Sequence, residues 1–274
     1  MSDGTSGPLV LVGGGKMGGA MLAGWLDQGM APGDVHVVEP WAERAEELSA
    51  LGVSVVADGG ELADDLAPGT VVFAVKPQQM DDVAPGYARF AAPGCVFLSI
   101  AAGKTIGYFE NLLGAKAGIV RAMPNTPAAV GRGITVACAN GPVNADQRKR
   151  CDGLLAAVGE VAWVDDEAPI DAVTALSGGG PAYVFLLVEV MAEAGVAAGL
   201  DADLAMRLAR TTVSGAGELL RQAAEPAATL RENVTSPGGT TAEALKVLRA
   251  ADAWPALMTR AIAEATRRSR ELAG

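Results

Sequence analysis

Short apolar, β-branched runs recur through the first 165 residues, at 9–12, 35–38, 53–56, 71–75, 95–100, 119–123, 134–139 and 161–164. Ala-rich stretches of helical character separate them. Several runs are almost continuously apolar, as strands buried on both faces of a sheet are. Strands alternating with helices predict right-handed crossovers and a mostly parallel, doubly wound α/β sheet. The last two runs can join the sheet edge in either direction.

After about residue 165 the strand pattern stops and the chain reads as helical throughout. The stretch 182–198 is apolar almost all round, with Glu189 and Glu193 its only charges, which predicts a buried helix. A further helix starts at Asp201, with Arg207, Arg210 and Arg221 on its wetter side and Gly215 and Gly217 as small residues for close packing. Two more are expected at 241–250 and 255–272, the last opening on Pro255, a residue suited to a first helical turn. A helix as apolar as 182–198 needs more cover than one small helical region provides, so a second subunit is expected over it. The chain thus divides into residues 1–165, a sheet domain, and residues 166–274, an all-helical one.

Composition narrows the function. The chain has 274 residues, half of them hydrophobic, with 35 glycines and 4% aromatics, which suits tight strand-to-helix turns. A net charge of −11 repels phosphate backbones and argues against nucleic acid. Cys95, Cys138 and Cys151 have no CxxC spacing, as in a reduced cytoplasmic protein, and no Cys/His cluster has metal spacing. Residues 1–8 lack the charged-then-apolar order of a signal peptide, and no uninterrupted apolar run is long enough to span a membrane.

The first strand runs into Gly13-Gly14-Gly15-Lys16-Met17-Gly18, a G-x-G-x-x-G between strand and helix. Gly13 allows the turn, Gly15 lets backbone approach a pyrophosphate, Gly18 lets helix and strand pack closely, and the helix N-terminus faces the phosphates. This predicts a Rossmann-type dinucleotide domain for NAD or NADP. Glu39, closing the second strand, is placed to accept hydrogen bonds from ribose hydroxyls and leans toward NAD; Arg44, one turn on, is in range to receive a 2′-phosphate. Further strand ends lie along the same crevice. Ala74-Val75-Lys76-Pro77 offers a cation for phosphate or ribose. Ser99 to Gly103, with Ala101 and Gly103, leaves room for a nicotinamide. Met123-Pro124-Asn125-Thr126-Pro127 presents the Asn125 amide.

In the helical half, Ser177-Gly178-Gly179-Gly180-Pro181 and Thr235-Ser236-Pro237-Gly238-Gly239-Thr240-Thr241 each set hydroxyls and glycine N–H groups before a helix, as a carboxylate receptor does. Thr240 and Glu243 also fit a capping box. The only histidine is His36, read as a packed strand residue, and the only lysine after residue 150 is Lys246. Alcohol oxidation wants a base for the hydroxyl proton. A cyclic imine is basic enough to carry its own proton, so imine reduction needs chiefly positioning, charge complementarity and exclusion of water.

The segments GGGKMGGA (13–20), AVKP (74–77), RAMPNTP (121–127), LSGGGPAY (176–183) and VTSPGGTTAEAL (234–245), in that order, resemble the successive motifs of the pyrroline-5-carboxylate reductase family. The resemblance implies NAD(P)H-dependent reduction of 1-pyrroline-5-carboxylate to L-proline, the last step of proline biosynthesis. It implies a helical domain that forms a homodimer, often within a ring of dimers such as a homodecamer, with the active site near the dimer interface. It also implies that Ser236, Gly238, Gly239 and Thr240 hold the substrate carboxylate while the Thr241 hydroxyl bonds the ring nitrogen. Asn125 and Ser177 are expected beside the substrate. Gly179 stands where the family usually has a serine, and 57–61 lacks the asparagine that often holds the cofactor. A β-hydroxyacid dehydrogenase shares the two-domain plan but wants a lysine on the helix after Ser177, which is missing. A catalytically silent dinucleotide sensor would not need Ser236 and Thr241.

Overall fold

The computed structural model describes residues 7–273, so most of the polar N-terminal segment lies outside the described residues. The eight apolar runs form eight strands: β1 Leu9–Val12, β2 Val35–Val38, β3 Ser54–Val56, β4 Thr70–Phe73, β5 Val96–Ser99, β6 Gly118–Met123, β7 Gly133–Ala139 and β8 Gly159–Trp163. They make one sheet in the order β3-β2-β1-β4-β5-β6-β7-β8. All neighbours are parallel except β6 and β7, where Val120 faces Ala139 and Met123 faces Val136 in antiparallel register. The strand β8 then returns parallel to β7, which decides the direction of the last two strands.

The helices in chain order are α1 Lys16–Asp27, α2 Ala42–Ser49, α3 Met80–Val83, α4 Ile106–Leu113, α5 Ala145–Ala156, α6 Ile170–Val173, α7 Gly180–Ala197, α8 Ala202–Gln222, α9 Ala227–Asn233, α10 Thr240–Leu248 and α11 Trp254–Ala273. The chain resolves into two compact units. The first runs to Gly178 and takes in the last turns of α11 from Thr266; the second is Gly179–Ala265.

In the first unit, strand alternation feeds two cores, one on each face of the sheet. Leu9 and Leu11 pack with Met21, Trp25 and Leu155 on one side. Val10 and Val12 pack with Phe73, Phe97 and Phe109 on the other. There Phe73 stacks on Phe97 at 6.0 Å and on Phe109 at 5.6 Å between ring centroids. Both faces are covered, which is why β1, β4 and β5 are apolar at nearly every position. The buried indole of Trp25 donates to the Leu154 carbonyl at 2.8 Å, tying α1 to α5.

The second unit is built differently. Asp201 caps α8, its Oδ1 accepting from the Asp203 and Leu204 N–H groups at 3.0 and 3.2 Å. The pair α7 and α8 meets through small side chains: Ala192, Ala205 and Ala209 are buried, and a Cβ on Gly195 would lie 3.2 Å from the Ala205 Cβ. The close approach is therefore made at Gly195, whereas Gly215 and Gly217 face open space. The expectation that 182–198 is buried is corrected within the single chain. Among the described residues of α7 only Ala192 is buried, and Phe185 and Leu186 are 62% and 56% exposed. By length and composition alone Ile170–Ala197 is one helix long and apolar enough to cross a membrane.

Candidate active site: a dinucleotide cleft and a carboxylate loop

The strand order reverses at β1, between β2 and β4, and such a switch point opens a crevice at the carboxyl ends of the strands. Here the first unit has a cleft of about 500 Å³. Each motif glycine has its own steric reason. Gly13 has φ +97°, and a Cβ there would lie 2.9 Å from Val75 Cγ1 and 3.0 Å from the Ala74 carbonyl carbon. Its N–H donates to the Val38 carbonyl at 2.9 Å, locking the turn to β2. A Cβ on Gly18 would lie 2.1 Å from the Gly13 carbonyl oxygen, so helix and turn can only close without a side chain. Gly15, by contrast, has nothing within 4 Å of its Cβ position. It is the N-cap of α1, which has no side-chain cap and no acidic residue in its first turn. Backbone N–H groups at an open, positively polarised helix end fit a pyrophosphate.

Of the residues expected to hold the cofactor, Gly13, Gly15, Glu39, Ala74, Val75 and Lys76 line this cleft. Lys16 and Met17 begin α1 beside it, with Lys16 exposed. Pro77 opens the short turn after Lys76. Ala101 is buried, its N–H donating to the Ser99 hydroxyl at 3.2 Å. Gly103 has φ +74°, and its Cβ position lies 3.2 Å from the Leu272 carbonyl oxygen in the last turn of α11.

The sequence reading missed Trp41, Asp58 and Tyr87, which also line the cleft. Asp58 caps a short turn by accepting from the Gly60 N–H at 2.7 Å. The Tyr87 hydroxyl lies 2.7 Å from where a Cβ on Gly59 would stand, so the glycine in this loop makes room for it. Burial, with Asp58 nearby, pushes the Tyr87 phenol above its ordinary range, so it stays a neutral hydroxyl. Trp41 had a signal in the sequence, an indole directly after Glu39-Pro40 at the end of β2.

The expected Ser177 loop is corrected. Thr174–Gly178 is a π-helical turn that joins α6 almost directly to α7, with Gly179 in helical conformation. Ser177 sits in that turn rather than at an open helix end, and its Oγ accepts from Asn125 Nδ2 at 3.2 Å. Asn125 Oδ1 in turn accepts from the Ile134 N–H at 3.0 Å, so the Asn125 amide is engaged on both sides.

In the second unit, the segment before α10 has the open form that the Ser177 segment lacks. Gly238 has φ +68°, and the Gly239 N–H donates to the Ser236 carbonyl at 3.0 Å. The capping box read from Thr240 and Glu243 does not form. Gly239 is the N-cap, Thr240 is already helical, no side chain caps the end, and Glu243 pairs with Lys246 at 2.6 Å. With Gly239 in the cap position, Thr240 has moved into the helix and cannot reach back. The N-terminus of α10 is left with the exposed hydroxyls of Ser236, Thr240 and Thr241 around it, an arrangement that receives a carboxylate. His36 sits half-buried on β2 between Val10 and Ser54. No group of three or more His, Cys, Asp or Glu that could hold a metal occurs among the described residues.

Comparisons with known proteins agree with this fold. A family described as pyrroline-5-carboxylate reductase dimerisation matches residues 167–272, and one described as NADP oxidoreductase coenzyme F420-dependent matches residues 8–103. A pyrroline-5-carboxylate reductase of Pseudomonas aeruginosa is 40% identical over 97% of this chain and 96% of its own length. Among solved structures, a pyrroline-5-carboxylate reductase from Coxiella burnetii superposes with a TM-score of 0.91 at 35% identity, covering 98% of this chain and 99% of that one. The Plasmodium falciparum pyrroline carboxylate reductase, solved with NADP bound, gives 0.82 at 28% identity over 98% and 99%. A near-full-length likeness of this strength, on a chain that has both the glycine cleft and the uncapped loop before α10, shows that it belongs to the pyrroline-5-carboxylate reductase family.

Proposed function

We infer that this protein is a pyrroline-5-carboxylate reductase, reducing the C=N bond of 1-pyrroline-5-carboxylate to give L-proline. The observation that carries the reading is the uncapped N-terminus of α10 beside exposed Ser236, Thr240 and Thr241, in a chain that also has a dinucleotide cleft. A bound NAD(P)H supplies the hydride. The open face of Gly15 and the N-terminus of α1 receive the pyrophosphate, and Lys76 adds a positive charge at the rim. The loop of Ser236, Gly238, Gly239 and Thr240 holds the substrate carboxylate at the uncapped end of α10. The Thr241 hydroxyl bonds the ring nitrogen and sets the orientation of the C=N bond. Carbon gains the hydride and nitrogen keeps the proton that the basic imine already carries, so no histidine or lysine is required. Asn125 and Ser177, bonded to each other, act as positioning residues at the end of β6.

We assign dinucleotide binding to residues 1–165 and substrate binding with dimerisation to 166–274, in keeping with the dimerisation match at 167–272. The apolar face of α7 is then a subunit interface rather than a membrane span, in a homodimer that can assemble into a ring of dimers. We place the enzyme in the cytoplasm. The test is oxidation of NADH and of NADPH, followed by the nicotinamide absorbance, with pyrroline-5-carboxylate and the folded, dimeric chain. Turnover with product inhibition by proline is expected. No turnover with either cofactor overturns the reading.

A further inference from the structure

The adenosine end of the cleft is formed at the ends of β2 and β3, where charge decides which dinucleotide fits. Glu39 lines this part of the cleft yet is buried and cannot turn away. Its Oε2 accepts from the Gly14 N–H at 2.8 Å and its Oε1 from the Trp41 N–H at 3.1 Å. A carboxylate pinned in this way presents its remaining acceptor capacity to a ribose hydroxyl, and its negative charge to anything that replaces that hydroxyl.

Arg44 is the cation that sequence alone makes available for a 2′-phosphate, and the fold withholds it. Its Nε donates to the Gly14 carbonyl at 2.7 Å and its guanidinium pairs with Glu47 at 2.5 Å. Its other terminal nitrogen packs against α1, 2.2 Å from where a Cβ on Gly19 would stand. Arg44 is not among the residues lining the cleft. The other ionisable carboxylates and amines that line it are Asp58, Asp82 and Lys76. Lys76 follows β4, on the far side of β1 from β2. A 2′-phosphate would therefore meet Glu39, while the nearby guanidinium of Arg44 is already engaged by Gly14 and Glu47.

We propose that the cleft selects a dinucleotide with a free ribose 2′-hydroxyl, so that the chain prefers NAD(H) to NADP(H), with Glu39 as the discriminating residue and Arg44 engaged by Gly14 and Glu47. This rests on the reading of the chain as a nicotinamide-dependent reductase and sets it apart from the relative solved with NADP.

The experiment titrates NAD+ and NADP+ separately into the full-length dimer by calorimetry, without substrate. NAD+ is expected to bind at least about tenfold more tightly. Glu39→Gln removes the charge, and Trp41→Arg adds a cation at a site 74% exposed, where folding is not at stake. Each is expected to move the NADP+/NAD+ affinity ratio by about tenfold toward NADP+. If Glu39→Gln loosens the glycine turn and abolishes binding of both dinucleotides, Trp41→Arg decides. NADP+ binding as tightly as NAD+ to the unaltered protein overturns the proposal, as does a ratio that Trp41→Arg leaves unchanged. A clear NAD+ preference without turnover of pyrroline-5-carboxylate overturns the substrate reading and leaves the cofactor assignment standing.

Discussion

The two compact units use apolar side chains in opposite ways. In the sheet unit they point inward from both faces, and the largest buried groups, among them Trp25, Phe73, Phe97 and Phe109, are almost completely shielded. In the helical unit the buried residues are alanines, while Phe185, Leu186, Leu208, Leu219 and Leu220 remain well exposed. The first unit is complete as a single chain; the second has the composition of a core whose other half is missing. A parallel sheet must be covered on both faces by its own crossover helices, whereas a helix pair can leave one stripe for a partner. The match to a dimerisation family is in keeping with the second copy proposed above.

This contrast can be broken most severely at α7. In the dimer proposed above, Phe185→Glu would place a charge in the α7 interface, and an unpaired buried charge is expected to weaken self-association at least about a hundredfold. Sedimentation should show monomers that still bind the dinucleotide. An unchanged dimer would mean that α7 is not the contact. Gly18→Ala attacks the other unit. Its Cβ would collide with the Gly13 carbonyl, costing about 3 kcal/mol of stability and most of the cofactor affinity, read by thermal melts and titration, while the dimer persists.

A finer division comes from Thr241→Ala. Loss of a hydrogen bond to a charged imine predicts about a thirtyfold fall in kcat, with NAD(P)H affinity unchanged. Equal losses in both would make Thr241 structural. Asn125→Ala is a smaller change, costing about 1–2 kcal/mol by leaving the Ile134 N–H and Ser177 hydroxyl without their partner. Stability measured by denaturant titration checks it.

The cysteines give the mildest probe, and all three lie in the closed unit. Burial pushes the Cys138 thiol up to about 11 and those of Cys95 and Cys151 up to about 12. Iodoacetamide at about pH 8 should label none of them until the protein is unfolded, as mass spectrometry can show. Because these values are raised on folding, their stabilising contribution is full below about pH 9 and is lost as pH rises through about 11 for Cys138 and about 12 for Cys95 and Cys151.

Much of the fold was legible in the chain itself. All eight strands lie where the apolar runs predict them, because a strand buried on both faces leaves a continuous signature. The closures at Gly18 and Asp201 were equally readable, since each depends on neighbours close in sequence. The limits appear where a run meets tertiary structure. The fourth run ends as a strand at Phe73, because Ala74 and Val75 leave the sheet and pack against Gly13.

Local rules failed where a short pattern was compatible with more than one set of partners. Thr240 and Glu243 satisfied the capping pattern, yet Gly239 took the cap and Glu243 paired with Lys246. Ser177 stood in a glycine-rich stretch that reads as a loop but folds as a π turn. The order and hydrophobicity of the elements and the residue types of both receptors were determined by the sequence, through steric and periodic rules that act over a few residues. The antiparallel entry of β7, the exposure of α7, the engagement of Asn125 with Ser177 and the capture of Arg44 by Gly14 and Glu47 were decided only by the tertiary structure. Each is a competition between hydrogen-bonding or burial partners that only the assembled chain brings within reach.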